Sequence, residues 1–241
     1  MIVRMVVLIA VLAVASAVNG ADADSVGELE RALEEASRRY ELDAAIAAQS
    51  DARTLLREDE SPARAELLVR ASLAVAELLR IEFEAWTEGD REGRRTTGQR
   101  IDVAANEGLT VLDSLPETSD NARRRADLIA TKIRSDFRAR KYRDDFEPAV
   151  ARALELDPDN ARAWVAKAKP YLFASPEHGG DLDEAVRLLS HALELEPQLE
   201  TARLLRAEAS ARLGEDAAAA ADWRAALERN PHCAPARKRL E

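Results

Sequence analysis

From Ser25 to the C-terminus, apolar residues recur every three or four positions, with polar residues between them. That period places the apolar side chains on one face of an α-helix. Leu29, Leu33, Ala36 and Tyr40 open the series, and Ala44, Ala47, Ala48, Leu55 and Leu56 continue it after a break predicted at Glu41-Leu42-Asp43. Ser61-Pro62 has the chemistry of a helix start, because Ser caps and Pro fits the first turn. Leu67, Leu68, Ala71, Val75, Leu78, Leu79 and Phe83 then predict a long helix reaching Trp86. Gly89 and Gly93 are expected to bracket a turn. The next helix is predicted from about Thr96 to Leu115, with Ile101, Ala104, Ala105, Leu109 and Leu112 on its inner side. Pro116 to Asn121 reads as a loop, with Asp120 as the cap of the helix beyond it. No strand-type alternation persists for more than a few residues.

Composition supports the all-helical pattern and removes several function classes. Of 241 residues, 48 are Ala, 30 are Arg and only 5 are Lys, and the aromatics number ten. A β-sandwich or barrel wants more β-branched and aromatic residues on its half-buried strands. Nine Gly and nine Pro are too few for a turn-rich all-β chain. One cysteine excludes an intramolecular disulfide and a Cys-built zinc site, and three scattered His leave little for metal chemistry. No metal or cofactor is expected.

The N-terminus reads differently. Arg4 precedes an apolar run from Met5 to Val18 broken only by Ser16, and small residues follow from Ala15 to Ala21. This is the pattern of a secretory signal, with residues 1–23 removed by a cut between Ala17 and Ala23. The alternative is an uncleaved membrane anchor; the run falls short of the roughly 20 residues a span needs and lacks a basic stop-transfer cluster. Cutting after Gly20 removes only Arg4 among the charges, leaving 34 basic and 45 acidic residues, a net of −11. The expectation is a periplasmic or secreted acidic protein that does not bind nucleic acid. The lone Cys233 suits that route as an inert, at least partly buried thiol.

Three segments of the C-terminal half align. Each ends in a Pro (Pro158, Pro197, Pro231), with a small residue five places earlier (Ala153, Ala192, Ala226) and a larger one eight places earlier (Val150, Leu189, Trp223). Pro197 and Pro231 are 34 residues apart, and Pro158 and Pro197 are 39 apart. The second unit adds Trp164, Ala168, Tyr171, Gly180 and Ala185, with five extra residues between its helices; the third adds Ala207, Gly214 and Ala219 with no insertion. These residues resemble the tetratricopeptide repeat, a helix–turn–helix of 34 residues. The match is tight for 159–231, looser for 122–158, and only partial for 25–116, where Ala45 and Ala52 stand seven apart as in a second helix. An unrelated helical bundle preceding three repeats is the other possibility there. The resemblance implies an all-α, tetratricopeptide-like helical-hairpin solenoid of about five hairpins with a C-terminal capping helix. The segments would be 24–116, degenerate hairpins, and 117–241, repeats and cap. Small residues let paired helices approach, and each hairpin must stack on neighbours to bury its apolar face.

The resemblance also implies a groove lined by the first helix of each hairpin. Carried over, its positions are Arg162, Val165, Lys169 and Leu172 in the second unit and Thr201, Leu204, Glu208 and Ala211 in the third. In the first unit they are Leu128, Thr131, Ser135 and Arg138. Arg138, Arg162 and Lys169 would converge there and could hold a carboxylate; the other possibility is solvated surface charge.

Two further features stand out. Between Asn121 and Arg143 there are nine Lys or Arg against two Asp, and Arg134, Arg138 and Lys141 are expected on one helical face. Such a face could meet an acidic partner or anionic lipid, or balance the adjacent Asp144, Asp145 and Glu147. In the inserted stretch, Pro170 is expected to end or kink the first helix. Asp181 with Glu184 reads as a capping-box variant. The Gly179-Gly180-Asp181 connection is similar to that of exported tetratricopeptide proteins, including T-components of TRAP transporters, although the anchoring cysteine is missing. His178 has no ligand partner at metal-site or acid–base spacing. No phosphate loop, His-Glu-x-x-His or Gly-x-Ser-x-Gly occurs. The expected function is a non-enzymatic adaptor that binds a protein or peptide through the groove. The alternative is a transporter-associated module holding a small apolar or anionic ligand near Trp164, Tyr171 and Phe173.

Overall fold

The computed structural model describes residues 23–87 and 89–241. Residues 1–22 of the segment read as a signal lie outside them. Among the described residues there are eleven α-helices and no strands, and the contacts divide the chain into two units between Leu115 and Pro116.

The first unit contains α1 (Ala23–Arg39), α2 (Leu42–Glu58), α3 (Pro62–Ala85) and α4 (Arg91–Leu112). Successive helices pack on each other, and α1 also touches α3. Leu29, Leu33, Ala48, Ala52, Leu55 and Leu67 form one cluster; Ala36, Ala45, Val75, Leu79 and Ile101 form another. Ala45 and Ala52 are completely buried, as a close helix pair requires. A polar tie crosses three helices. The Glu107 carboxylate of α4 accepts from Gln49 Nε2 at 2.8 Å and from Arg53 Nε at 2.6 Å on α2, and from Ser72 Oγ at 3.4 Å on α3.

Several boundaries differ from the sequence expectation. The first break falls at Tyr40-Glu41, one residue earlier than predicted, and Leu42 already begins α2. Helix α4 begins at Arg91, and Gly93 lies inside its first turn. There the Trp86 ring lies so close that a Cβ on Gly93 would come within 2.8 Å of it, while Trp86 Nε1 donates to Thr97. Gly93 therefore serves close packing, not a turn.

The second unit contains α5 (Ser119–Lys132), α6 (Asp136–Leu156), α7 (Ala161–Phe173), α8 (Leu182–Leu195), α9 (Glu200–Leu213), α10 (Asp216–Arg229) and α11 (Ala234–Leu240). Helices α5–α6, α7–α8 and α9–α10 pair as hairpins, α5 touches α7 and α7 touches α9, and α11 packs on α10. With α1–α2 and α3–α4 this makes five hairpins and a terminal helix. Ala161, Val165, Ala168, Leu188, Leu189, Ala192, Leu199 and Ala202 fill the space among α7, α8 and α9.

The three Pro turns share one geometry. The residue before each Pro has extended φ and donates its N–H back four residues: Asp157 to Ala153 O at 3.0 Å, Glu196 to Ala192 O at 2.9 Å, Asn230 to Ala226 O at 2.9 Å. Its carbonyl then accepts from the residue three ahead: Asn160, Leu199 and Cys233. Proline disfavours helical backbone in the residue before it, so each second helix stops in the same place. A side chain six residues on donates to each Pro carbonyl: Trp164 Nε1 to Pro158 and a guanidinium nitrogen of Arg203 to Pro197, both at 2.8 Å, and Arg237 to Pro231. Arg203 and Arg237 thus make the bond that Trp164 makes, and α11 starts with the same turn as α7 and α9. Cys233 is buried at its start.

The hairpin turns differ. Gly214 ends α9 at φ 81°, and Glu215 N–H reaches Ser210 O at 2.8 Å. The turn after α1 has the same form, with Tyr40 at φ 59° and Glu41 N–H on Ala36 O at 2.9 Å. No heavy atom would meet a Cβ on Gly214 within 4 Å, so the cost there is backbone strain alone. Gly214→Ala is expected to destabilise the second unit by about 1 kcal/mol in urea titration, with no change in helix content. An unchanged midpoint would show that the left-handed turn is unstrained for a side chain.

In the turn after α7, Pro170 does not end the helix, which runs on to Phe173; Ala174 N–H bonds to Pro170 O at 3.0 Å. Pro170 gives up the one bond its N–H would have made to the Ala166 carbonyl, and the helix continues for three more residues. The inserted loop is closed by Asp181 N–H on Tyr171 O at 2.9 Å, and Asp181 Oδ1 caps α8 by accepting from Glu184 N–H at 3.0 Å. The cap of α5 is Thr118, which accepts from Asn121 N–H at 3.1 Å; Asp120 lies inside the first turn.

Candidate partner-binding face

Helices α5, α7 and α9 are the first helices of consecutive hairpins. Asn160, just before α7, bonds to Ser119 at the start of α5 at 2.8 Å, and Lys169 late in α7 meets Asp127 late in α5 at 2.7 Å. Contacts in the same order along both helices mean that α5 and α7 run parallel. Helix α9 repeats the arrangement on α7, with Arg212 near its end donating to the Leu172 carbonyl.

The positions named in the second and third units lie on α7 and α9. Arg162 is exposed and pairs with Glu196 at 3.5 Å. Val165 and Leu172 are buried. Thr201, Leu204, Glu208 and Ala211 lie along one stripe of α9, with Thr201 exposed and the other three half-buried; Glu208 pairs with Arg239 of α11 at 2.6 Å. The first unit is displaced. Leu128 and Thr131 are buried in α5, Ser135 is the N-cap of α6, and Arg138 lies in the first turn of α6, where it donates to the Lys132 carbonyl at 3.2 Å. Arg138 is therefore on a second helix, not a first one. Arg134 lies in the connection before α6, off any helical face shared with Arg138 and Lys141. Counting back from Pro158 misplaces the repeat because α6 has 21 residues where α8 and α10 have 14.

With α5 aligned by its cap, the residue matching Lys169 is Asp127, and these two are bonded. Arg123 donates to the other Asp127 oxygen at 2.6 Å. Arg123 and Asp127 are nearly fully buried, and Lys169 is largely so. Burial pushes the Asp127 carboxyl up, but Lys169 and Arg123 outweigh it and hold it below the ordinary carboxylate range. Lys169 thus spends its charge on an internal carboxylate and does not converge with Arg138 and Arg162. Sequence inspection missed this cluster; its signal was the i, i+4 spacing of Arg123 and Asp127. A related knot links the next hairpin: Asp222 accepts from Arg206 at 2.8 and 2.9 Å, and Arg206 also donates to Ser190 at 3.1 Å.

The aromatics of the inserted hairpin do not share one lining. Trp164 packs edge-on against His191 with 4.8 Å between ring centroids, Tyr171 is half-buried against α8 and α9, and Phe173 is 60% exposed. His178 bonds to Ser175 Oγ at 2.8 Å within its own loop. Among the described residues, no group of His, Cys, Asp and Glu is placed to hold a metal ion, and no helix is long and apolar enough to cross a membrane.

Parallel first helices, Pro-ended second helices and buried Ala contacts define a helical-repeat scaffold. The chain is similar in structure to a thermophilic TPR protein of Thermus thermophilus, with a TM-score of 0.60 and 19% identity over 88% of this chain and 96% of that one. The fold is that of a tetratricopeptide-type helical solenoid. No family model matches the sequence, and no curated protein does.

Proposed function

We propose that the chain is an exported, non-enzymatic adaptor that holds a protein or peptide against the face formed by α5, α7 and α9. The observation behind this reading is the α9 stripe. Thr201, Leu204 and Ala211 are exposed or half-buried around the Glu208–Arg239 ion pair, whereas Val165 and Leu172 of α7 are buried. Such a mixed stripe suits the alternating side chains of a peptide. A photo-crosslinking amino acid at 204 in cells is expected to give partner adducts, while one at 218, exposed on the second helix α10, gives few. Equal labelling at both sites would sink the groove reading. Export is supported by Arg4 and the apolar run that follows it. The secreted or periplasmic protein should then have an intact mass that lacks about the first 20 residues; an uncut mass would leave an anchored protein.

A further inference from the structure

The start of α6 has no counterpart in the other hairpins of the second unit. This helix begins 22 residues before Pro158, whereas α8 and α10 begin 15 residues before Pro197 and Pro231. The surplus is two helical turns at the start of α6, an overhang relative to the helix length of the other hairpins. None of residues 136–145 is buried, and Phe146 is the first buried residue of the helix. No side chain of these turns is fully buried; Arg138 donates to the Lys132 carbonyl and Lys132 Nζ lies 4.8 Å over the Tyr142 ring, so one side is tied to the end of α5 and the other is open. The outward face carries Phe137, 70% exposed, with Arg140 and Lys141 at i+3 and i+4, both exposed. The opposite side runs through Ala139 and Tyr142 to Phe146 and Ala149, toward the core.

We propose that this overhang is a second docking site, separate from the α5–α7–α9 face, for an acidic protein segment with one apolar anchor residue. Charge selects the ligand sign: residues 134–143 hold five Lys or Arg and one Asp in a chain of net charge −10. Exposed Phe137 offers the apolar contact, and the two cations one turn away offer charge-assisted hydrogen bonds to carboxylates. The extent of the patch selects a peptide over a lipid surface. Asp144, Asp145 and Glu147 follow immediately and are exposed. An extended anionic membrane would press against these acids as well, whereas one or two turns of peptide cover only the basic part.

The test pans the full chain with a random dodecapeptide phage library and measures the enriched peptides by fluorescence anisotropy. Enriched sequences should be net negative with an aromatic or aliphatic residue. Their affinity should fall on the order of tenfold in Phe137→Ser/Arg140→Glu/Lys141→Glu, and also with added salt. It should not fall in Leu204→Arg, which reports the other face. All three overhang residues are exposed, so the melting temperature should hold; Arg140→Glu alone serves if the triple variant loses helix. The proposal fails if enriched peptides lack negative charge, bind the overhang variants equally well, or are not obtained. It also fails if the wild type alone sediments with phosphatidylglycerol vesicles while no peptide depends on the overhang.

Discussion

Replacing Asp127 with Ala should cost about 3–5 kcal/mol, the range for removing one partner from a buried ion cluster. The carboxylate accepts from Arg123 at 2.6 Å and Lys169 at 2.7 Å, and both cations are largely shielded from water. Without it, two positive charges face each other in the packing of α5 against α7. Lys169→Met should cost less, because it leaves Arg123 and Asp127 as a neutral pair. The order of the two losses tests the charge argument, since simple loss of packing would not rank them so. The pH dependence has a definite sign. The folded carboxyl lies below its ordinary value, so its stabilisation is complete above the unfolded value of about 3.9 and is lost as pH falls through the folded value. Urea titrations at neutral and acid pH, followed by Trp164 and Trp223 fluorescence, should show a steeper acid loss in the wild type than in Asp127→Ala. Parallel losses would mean that Asp127 is not held as an anion.

The same cluster marks where sequence reading stops. Ala153, Ala192 and Ala226 were legible because the spacing to Pro is fixed by backbone chemistry: the residue before Pro leaves the helix, and a small residue one turn earlier sits where helices touch. All three are essentially fully buried. Ala45 and Ala52 were legible without a Pro, from their seven-residue spacing along one helical face, and both are fully buried. The first repeat was misplaced because spacing was counted from the Pro end through a helix with two extra turns. Caps would have corrected it: Thr118 and Asn160 each accept from the N–H three residues ahead. Once α5 is set by Thr118, Asp127 falls opposite Lys169. A convergence of cations becomes a neutralised cluster. Charge type was readable from composition, but the partner of each charge depends on the register between helices. Arg203 and Arg237 occupy the position that Trp164 holds in its own hairpin, because the interaction needs only an N–H that reaches the Pro carbonyl.

The Ala contacts themselves can be tested as a shape requirement. Leu188 and Ala192 lie one turn apart on α8, both completely buried in the cluster with α7 and α9. Leu188→Ala should cost about 2–5 kcal/mol, from lost transfer energy and the cavity left behind. Ala192→Leu adds volume where the helices are closest and should cost about 1–3 kcal/mol by forcing the backbones apart. The informative variant is the double one. If the two side chains fill one continuous space, the Leu brought in at 192 occupies part of the room vacated at 188, and the double variant should be more stable than the summed losses by at least about 0.5 kcal/mol. Strict additivity in chemical denaturation would mean that each residue meets a separate wall, with Ala192 held small by α7 alone. A positive coupling would place the tolerance of this repeat in total volume between hairpins, and the Ala and Leu positions could then exchange as pairs but not singly.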